Sequence, residues 1–129
     1  MPSDFESIFI RLRTILQNNI GALTVVDDQP GRYCLALTTH VRPGIKGPMP
    51  VAWVQISKAY VSFHFMPVYA CPKLLDGCSE KLKARMQGKS CFNFKVEDEN
   101  LFKELEGLTA RGFAAFKQGA FDGLKPSAC

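Results

Sequence analysis

Apolar residues recur every three or four positions at the start of the chain, at Phe5, Ile8, Phe9, Leu12, Ile15, Leu16 and Ile20. That period lays them along one stripe of a helix. Ser3-Asp4-Phe5-Glu6 has the form of a capping box, in which the hydroxyl and the carboxylate each bond the other's backbone N–H. A helix is therefore predicted to start there, with Gly21 as its stop.

From Ala22 the period shortens. Ala22 to Asp27 is β-branched, Asp28-Gln29-Pro30-Gly31 has turn chemistry, and Arg32 to His40 reads as the returning strand of a hairpin. Val41 to Pro50 carries Pro43, Gly44, Gly47, Pro48 and Pro50, too many breakers for a strand interior, and predicts a loop of about ten residues. Val51 to Ser57 and Tyr60 to Met66 then alternate. A two-residue turn at Lys58-Ala59 pairs Ala52 with Phe65, Val54 with Phe63 and Ile56 with Val61, all on one face. The opposite face carries Val51, Trp53, Gln55 and Ser57 beside Tyr60, Ser62, His64 and Met66, with Trp53 directly across from His64. Lys-Ala is not a favoured pair for such a turn, so a longer loop with a shifted register is the alternative.

Pro67 and Pro72 end the strand, and the MPVYACP segment reads as a turn. Lys73 to Gly77 reads as one helical turn, and Ser79 is expected to cap a helix from Glu80 to Gln87 closed by Gly88. Cys91 to Lys95 is a short strand with Phe92 and Phe94 on one face. Asp98 can cap a last helix whose stripe is Leu101, Phe102, Leu105, Leu108, Phe113 and Phe116, its regularity weakened by Gly107 and Gly112. Two amphipathic helices, N- and C-terminal, packed on one face of a mainly antiparallel sheet make an α+β two-layer sandwich. Residues 1–124 are expected to form that single domain, followed by a tail over 125–129.

The order of elements, together with FHFMPVYACPKLLDG and GKSCFNF, resembles the small bacterial domains of unknown function with the YdhG-like fold, which is related to frataxin. The resemblance covers nearly the whole chain and implies the same α+β sandwich. It brings no catalytic motif. One branch is linked to iron delivery, which makes iron a candidate cargo. Frataxin-type iron surfaces are acidic along the first helix and first strand, where this chain places Asp4, Glu6, Asp27 and Asp28 among Arg11, Arg13 and Arg32.

Composition narrows the function classes. The chain has 129 residues, enough for one self-supporting core, and no apolar run approaches the length of a membrane helix. Asp4 and Glu6 stand where a signal peptide would carry basic residues. Five cysteines, an odd number without an export signal, point to reduced thiols and a cytoplasmic location. The formal charge is +4, and Lys73, Lys81, Lys83, Arg85, Lys89 and Lys95 concentrate the basic excess in one segment. Such a segment suits a small anion or an acidic partner; exposed stacking aromatics and a larger charge excess would be needed for nucleic acid.

The candidate chemistries were weighed against plainer roles. Gly88-Lys89-Ser90 ends like a phosphate-binding loop, but Lys83 stands where its first glycine belongs and the segment runs from helix to strand. Cys71, Cys78 and Cys91 with His64 have the ligand types for zinc or ferrous iron, but the closest cysteines are separated by six residues where structural zinc sites space them about two to four apart, and packed thiols account for them. His64 has Ser62 two positions along its own strand, too far for a nucleophile-and-base pair. No catalytic residue, metal ligand or cofactor is assigned. The expected function is non-enzymatic binding of a small anionic ligand or a protein partner on the sheet face, at Trp53, Tyr60, His64 and Tyr69, flanked by Arg85 and Lys89. Homodimerisation through the same face, or metal handling, is the alternative.

Overall fold

The computed structural model describes residues 4–21, 23–37, 49–70, 72–88 and 90–117. Helix α1 (Asp4–Asn18) follows the apolar stripe, with Ile8, Leu12, Ile15 and Leu16 fully buried. Gly21 takes a positive φ of 52°, which lets the chain turn out of the helix. Strands β1 (Thr24–Gln29) and β2 (Arg32–Leu37) form a hairpin whose turn is Pro30-Gly31, with Gly31 at φ 85°. Asp28 and Gln29, expected in the turn, instead belong to the strand.

Strand β3 (Met49–Ile56) starts before Val51, inside the segment expected to be loop. Pro50 is tolerated because a bulge lies there: Leu35 pairs with Ala52 but Ala36 with Pro50, leaving Val51 extra. The rest of that expected loop lies outside the described residues. Strand β4 (Val61–Phe65) pairs with β3 in the expected register, Ala52 with Phe65, Trp53 with His64, Val54 with Phe63 and Ile56 with Val61. The Ser57 hydroxyl holds the unfavoured Lys58-Ala59 turn: Ser57 N and Oγ both donate to the Tyr60 carbonyl, at 2.9 and 2.8 Å.

Two expectations in the next segment are corrected. MPVYA is a helix, α2 (Met66–Ala70), with Pro67 in the first turn, where a missing N–H costs nothing. Pro72–Gly77 forms a 3₁₀ turn, and α3 is only Glu80–Lys83. The chain then leaves the helix to lie along strand β5 (Cys91–Phe94). Gln87 N donates to Cys91 O and Asn93 N to Arg85 O, each at 2.9 Å, and Met86 bridges Phe92. These bonds satisfy the outer edge of β5, which a longer α3 would leave open. Gly88, at φ 84°, turns between those two stretches instead of capping a helix.

Helix α4 (Glu99–Lys117) is continuous through both glycines. Asp98 caps it, accepting from Leu101 N at 3.2 Å. The five strands form an antiparallel meander in chain order, β1-β2-β3-β4-β5, with β4 pairing β5 through Phe63–Phe92 and Val61–Phe94. The α+β sandwich follows: α1 lies over β3 and β4, and α4 packs beside α1. Phe102 meets Phe94 edge-on at 5.2 Å and Phe113 meets Phe65 at 5.4 Å. Phe63, Phe65, Phe92, Phe94 and Phe102 are all fully buried between the layers, each stabilising by about 2 kcal/mol or more relative to exposure. No helix among the described residues is long and apolar enough to cross a membrane.

Candidate functional site

With Tyr33 and Leu35 of β2, Ala52 and Val54 of β3, Val61, Phe63 and Phe65 of β4, and Phe92 and Phe94 of β5 turned to the helices, alternation sends their neighbours to the opposite face. The registers then line up a row across all five strands: Asp27, Cys34, Trp53, His64 and Cys91. A second row runs Gln29, Arg32, Gln55, Ser62 and Asn93. Each row spans about 19 Å at the usual strand spacing.

Trp53 and His64 stack at the centre, ring centroids 4.6 Å apart and planes 16° from parallel. Both are half-buried. Burial holds the His64 pKa below its ordinary value, and the positive charge of Arg32 adds to that effect. The imidazole is therefore neutral at pH 7.

On the far side of His64 lies Cys91, with Sγ 3.8 Å from Nε2. The thiol donates to Asn93 Oδ1 at 3.1 Å, and Asn93 Nδ2 donates to Gln87 Oε1 at 2.7 Å. With the thiol donating to Asn93, its sulfur is free to accept from His64 Nε2 in the tautomer that protonates that nitrogen. A chain of polar contacts runs from His64 through Cys91 and Asn93 to the exposed Gln87. Burial raises the Cys91 pKa, opposed by a hydrogen bond from Ser62. Burial thus favours the neutral form of both the thiol and the imidazole.

On the other side of Trp53 is a charged cluster. Arg32 Nε donates to Asp27 Oδ2 at 2.8 Å and Arg32 Nη1 to Gln55 Oε1 at 2.6 Å. Gln29 Nε2 donates to Asp27 Oδ1 at 2.6 Å and, with Arg32, lowers the Asp27 pKa. Between the two clusters Cys34 is buried, which pushes its thiol pKa up.

Of the residues expected in the site, Trp53 and His64 meet directly. Tyr60 precedes β4, four positions from His64 and about 13 Å along the chain direction, and its carbonyl closes the Ser57 turn. Tyr69 is on α2, and no ring contact joins it to the pair among the described residues. Arg85 is exposed at the register position opposite Asn93, while Lys89 lies outside the described residues. The basic excess of the segment is partly offset, since Lys81 pairs with Asp98 at 3.4 Å and Lys83 with Glu80 at 3.6 Å. Cys91 and His64, grouped in the sequence only as members of a possible metal set, meet here as cross-strand neighbours without Cys78 of that set. The signal was present: placing Phe92 opposite Phe63 puts Cys91 opposite His64 one step along the two strands.

The described cysteines Cys34, Cys78 and Cys91 are free. Cys78 belongs to the core and Cys91 to the outer face, so these two do not converge; Cys71 lies outside the described residues. Among the described residues no three His, Cys, Asp or Glu side chains come together as a metal site. Comparison with protein-family models, with curated proteins and with solved structures returns no match for this chain.

Proposed function

We propose that this protein binds a small anionic ligand on the outer face of its sheet and does not transform it. The observation that carries this reading is the half-buried Trp53–His64 stack, set between the Arg32 cluster and the chain of hydrogen bonds ending at Gln87. A rigid aromatic centre ringed by oriented polar groups is the make-up of a ligand floor. Arg32, with 39% of its side chain exposed, and the exposed Arg85 supply the positive charge. Burial favours the neutral forms of Cys91 and His64, which supports binding over covalent catalysis. The free cysteines fit a reducing, cytoplasmic setting, and the meander with both long helices on one side is what a YdhG-like domain would have.

Fluorescence of Trp53, the only tryptophan, tests the reading against a panel of carboxylates and phosphate esters. Saturable change, lost in Arg32→Gln, is expected. No response of Trp53 fluorescence or of the His64 ring resonances to any anion at millimolar concentration would remove the proposal.

A further inference from the structure

α1 lies over β3 and β4, so the β1–β2 hairpin projects past it. A groove of about 740 Å³ runs between the helix and the hairpin end, within the size range of small-molecule sites. Its apolar wall is formed by Phe9 of α1, Pro30 of the turn and Ile56 of β3. Glu6, Arg13, Asp28 and Arg32 bring charges of both signs to it, Arg32 being already paired with Asp27.

Two observations single out Arg13. Its guanidinium carbon lies 5.5 Å from the Phe9 ring centroid, so charge and apolar wall adjoin. Its Nε is sealed from solvent and has no hydrogen-bond acceptor, and it is the only such buried side-chain nitrogen or oxygen among the described residues. A buried donor left unpaired costs free energy, which a turn of the guanidinium toward an acceptor in the groove would recover. Asp28 lines the same groove from β1, and the Tyr33 phenol responds to both charges: burial raises its pKa, Asp28 raises it further and Arg13 opposes them.

We infer that this groove is a second binding site, for a zwitterionic amino acid with an apolar side chain. The carboxylate would accept from the Arg13 guanidinium, the ammonium would donate to Asp28, and the side chain would lie against Phe9 and Ile56. A simple anion fits less well, since Asp28 would repel it, whereas a zwitterion is attracted to both charges. The groove borders the outer-face cluster and shares Gln29, Arg32 and Gln55 with it, but its ligand carries both charges and is held by Arg13 and Asp28, which the outer-face floor does not use.

The test is two-dimensional NMR of the ¹⁵N-labelled protein titrated with L-phenylalanine and L-leucine. Saturable shifts are expected at the amides of Arg13 and of the Asp28–Arg32 turn. L-Phenylalaninamide, which lacks the carboxylate, and N-acetyl-L-phenylalanine, which lacks the ammonium, should each bind at least about tenfold more weakly. Arg13→Gln should lower affinity for L-phenylalanine by a similar factor, and Asp28→Asn provides a second variant outside the helix. Absence of shifts at these amides with about 10 mM of either amino acid would overturn the proposal, since weaker binding corresponds to less than about 3 kcal/mol. So would equal binding by the amide or the acetyl derivative, or undiminished binding by both variants.

Discussion

Replacing Gly112 by alanine adds one methyl group where α4 crosses the end of β4. Its carbon would stand 2.5 and 2.6 Å from Cζ and Cε2 of Phe65 and 3.0 Å from Cβ of Pro67. Ordinary carbon–carbon contact begins near 3.5 Å, so the ring and helix must separate by about 1 Å. Neither has room to move. Phe65 is fully buried, with Phe63 at 5.9 Å and Phe113 at 5.4 Å, and the Pro67 contact blocks retreat on the other side. Overpacking of this kind costs about 1–3 kcal/mol. Glycine to alanine in a helix also gains about 1 kcal/mol, which would blur the measurement if taken alone. Gly107 on the same helix supplies the control, because its added carbon meets only Arg111 Nη1, the far end of a flexible side chain, at 3.4 Å. The propensity gain is common to both and cancels in the difference. Gly107→Ala should therefore exceed Gly112→Ala by about 1–3 kcal/mol in urea denaturation, with Gly107→Ala above the parent protein. The shorter side chain of Phe65→Leu should relieve part of the Gly112→Ala cost, giving non-additive coupling. Equal stabilisation by both alanines would refute the close packing of α4 on Phe65.

Other consequences can be checked separately. Because burial lowers the His64 pKa, the unfolded chain binds the extra proton first. Stability should be full above the imidazole's ordinary value of about 6.5 and fall as pH drops below it, and His64→Gln should flatten that part of the stability–pH curve. The Asp27, Asp98 and Glu99 pKa values are all lowered, so a further loss is expected in the acid range below the ordinary carboxylate values, through their folded values; a stability profile flat down to pH 3 would contradict this. Ser79 accepts from Leu82 N at 3.1 Å and donates to Glu104 Oε2 at 2.8 Å, so Ser79→Ala should cost about 1 kcal/mol in denaturant unfolding. Iodoacetamide should modify Cys91 before Cys34 and Cys78 in the native state, as read by peptide mass spectrometry, because Cys91 is the most exposed of the three; equal labelling of Cys34 would count against its burial beneath the outer face.

Much of the fold was legible because α1 and α4 carry long stripes of period near 3.6 and β3 and β4 alternate cleanly. The misreadings fall where tertiary demands override local preference. Leu82 and Met86 have helical spacing, yet the chain leaves the helix after Lys83 because β5 needs a partner for its outer backbone groups. Pro67 looked like a breaker, although proline in a first turn is compatible with a helix. The groove at Arg13 was not legible, since it depends on how far α1 extends over the sheet, which no local pattern reports.

The outer-face site shows a narrower limit. Alternation along one strand gives the face on which a residue lies, but not its neighbours on other strands. Those follow only from strand order and register. In a meander the order is the chain order, and the turns between β1 and β2 and between β3 and β4 set two registers directly. β4 and β5 are joined through α2, the 3₁₀ turn and α3, which are too long to set a register. That register is set instead by the core, where Phe92 opposes Phe63 and Phe94 opposes Val61. A shift of one residue would turn Cys91 and Asn93 to the helices and Phe92 and Phe94 to the outer face. Burying the two phenylalanines therefore places Cys91 against His64, and the polar chain from His64 to Gln87 exists because the apolar face permits no other pairing.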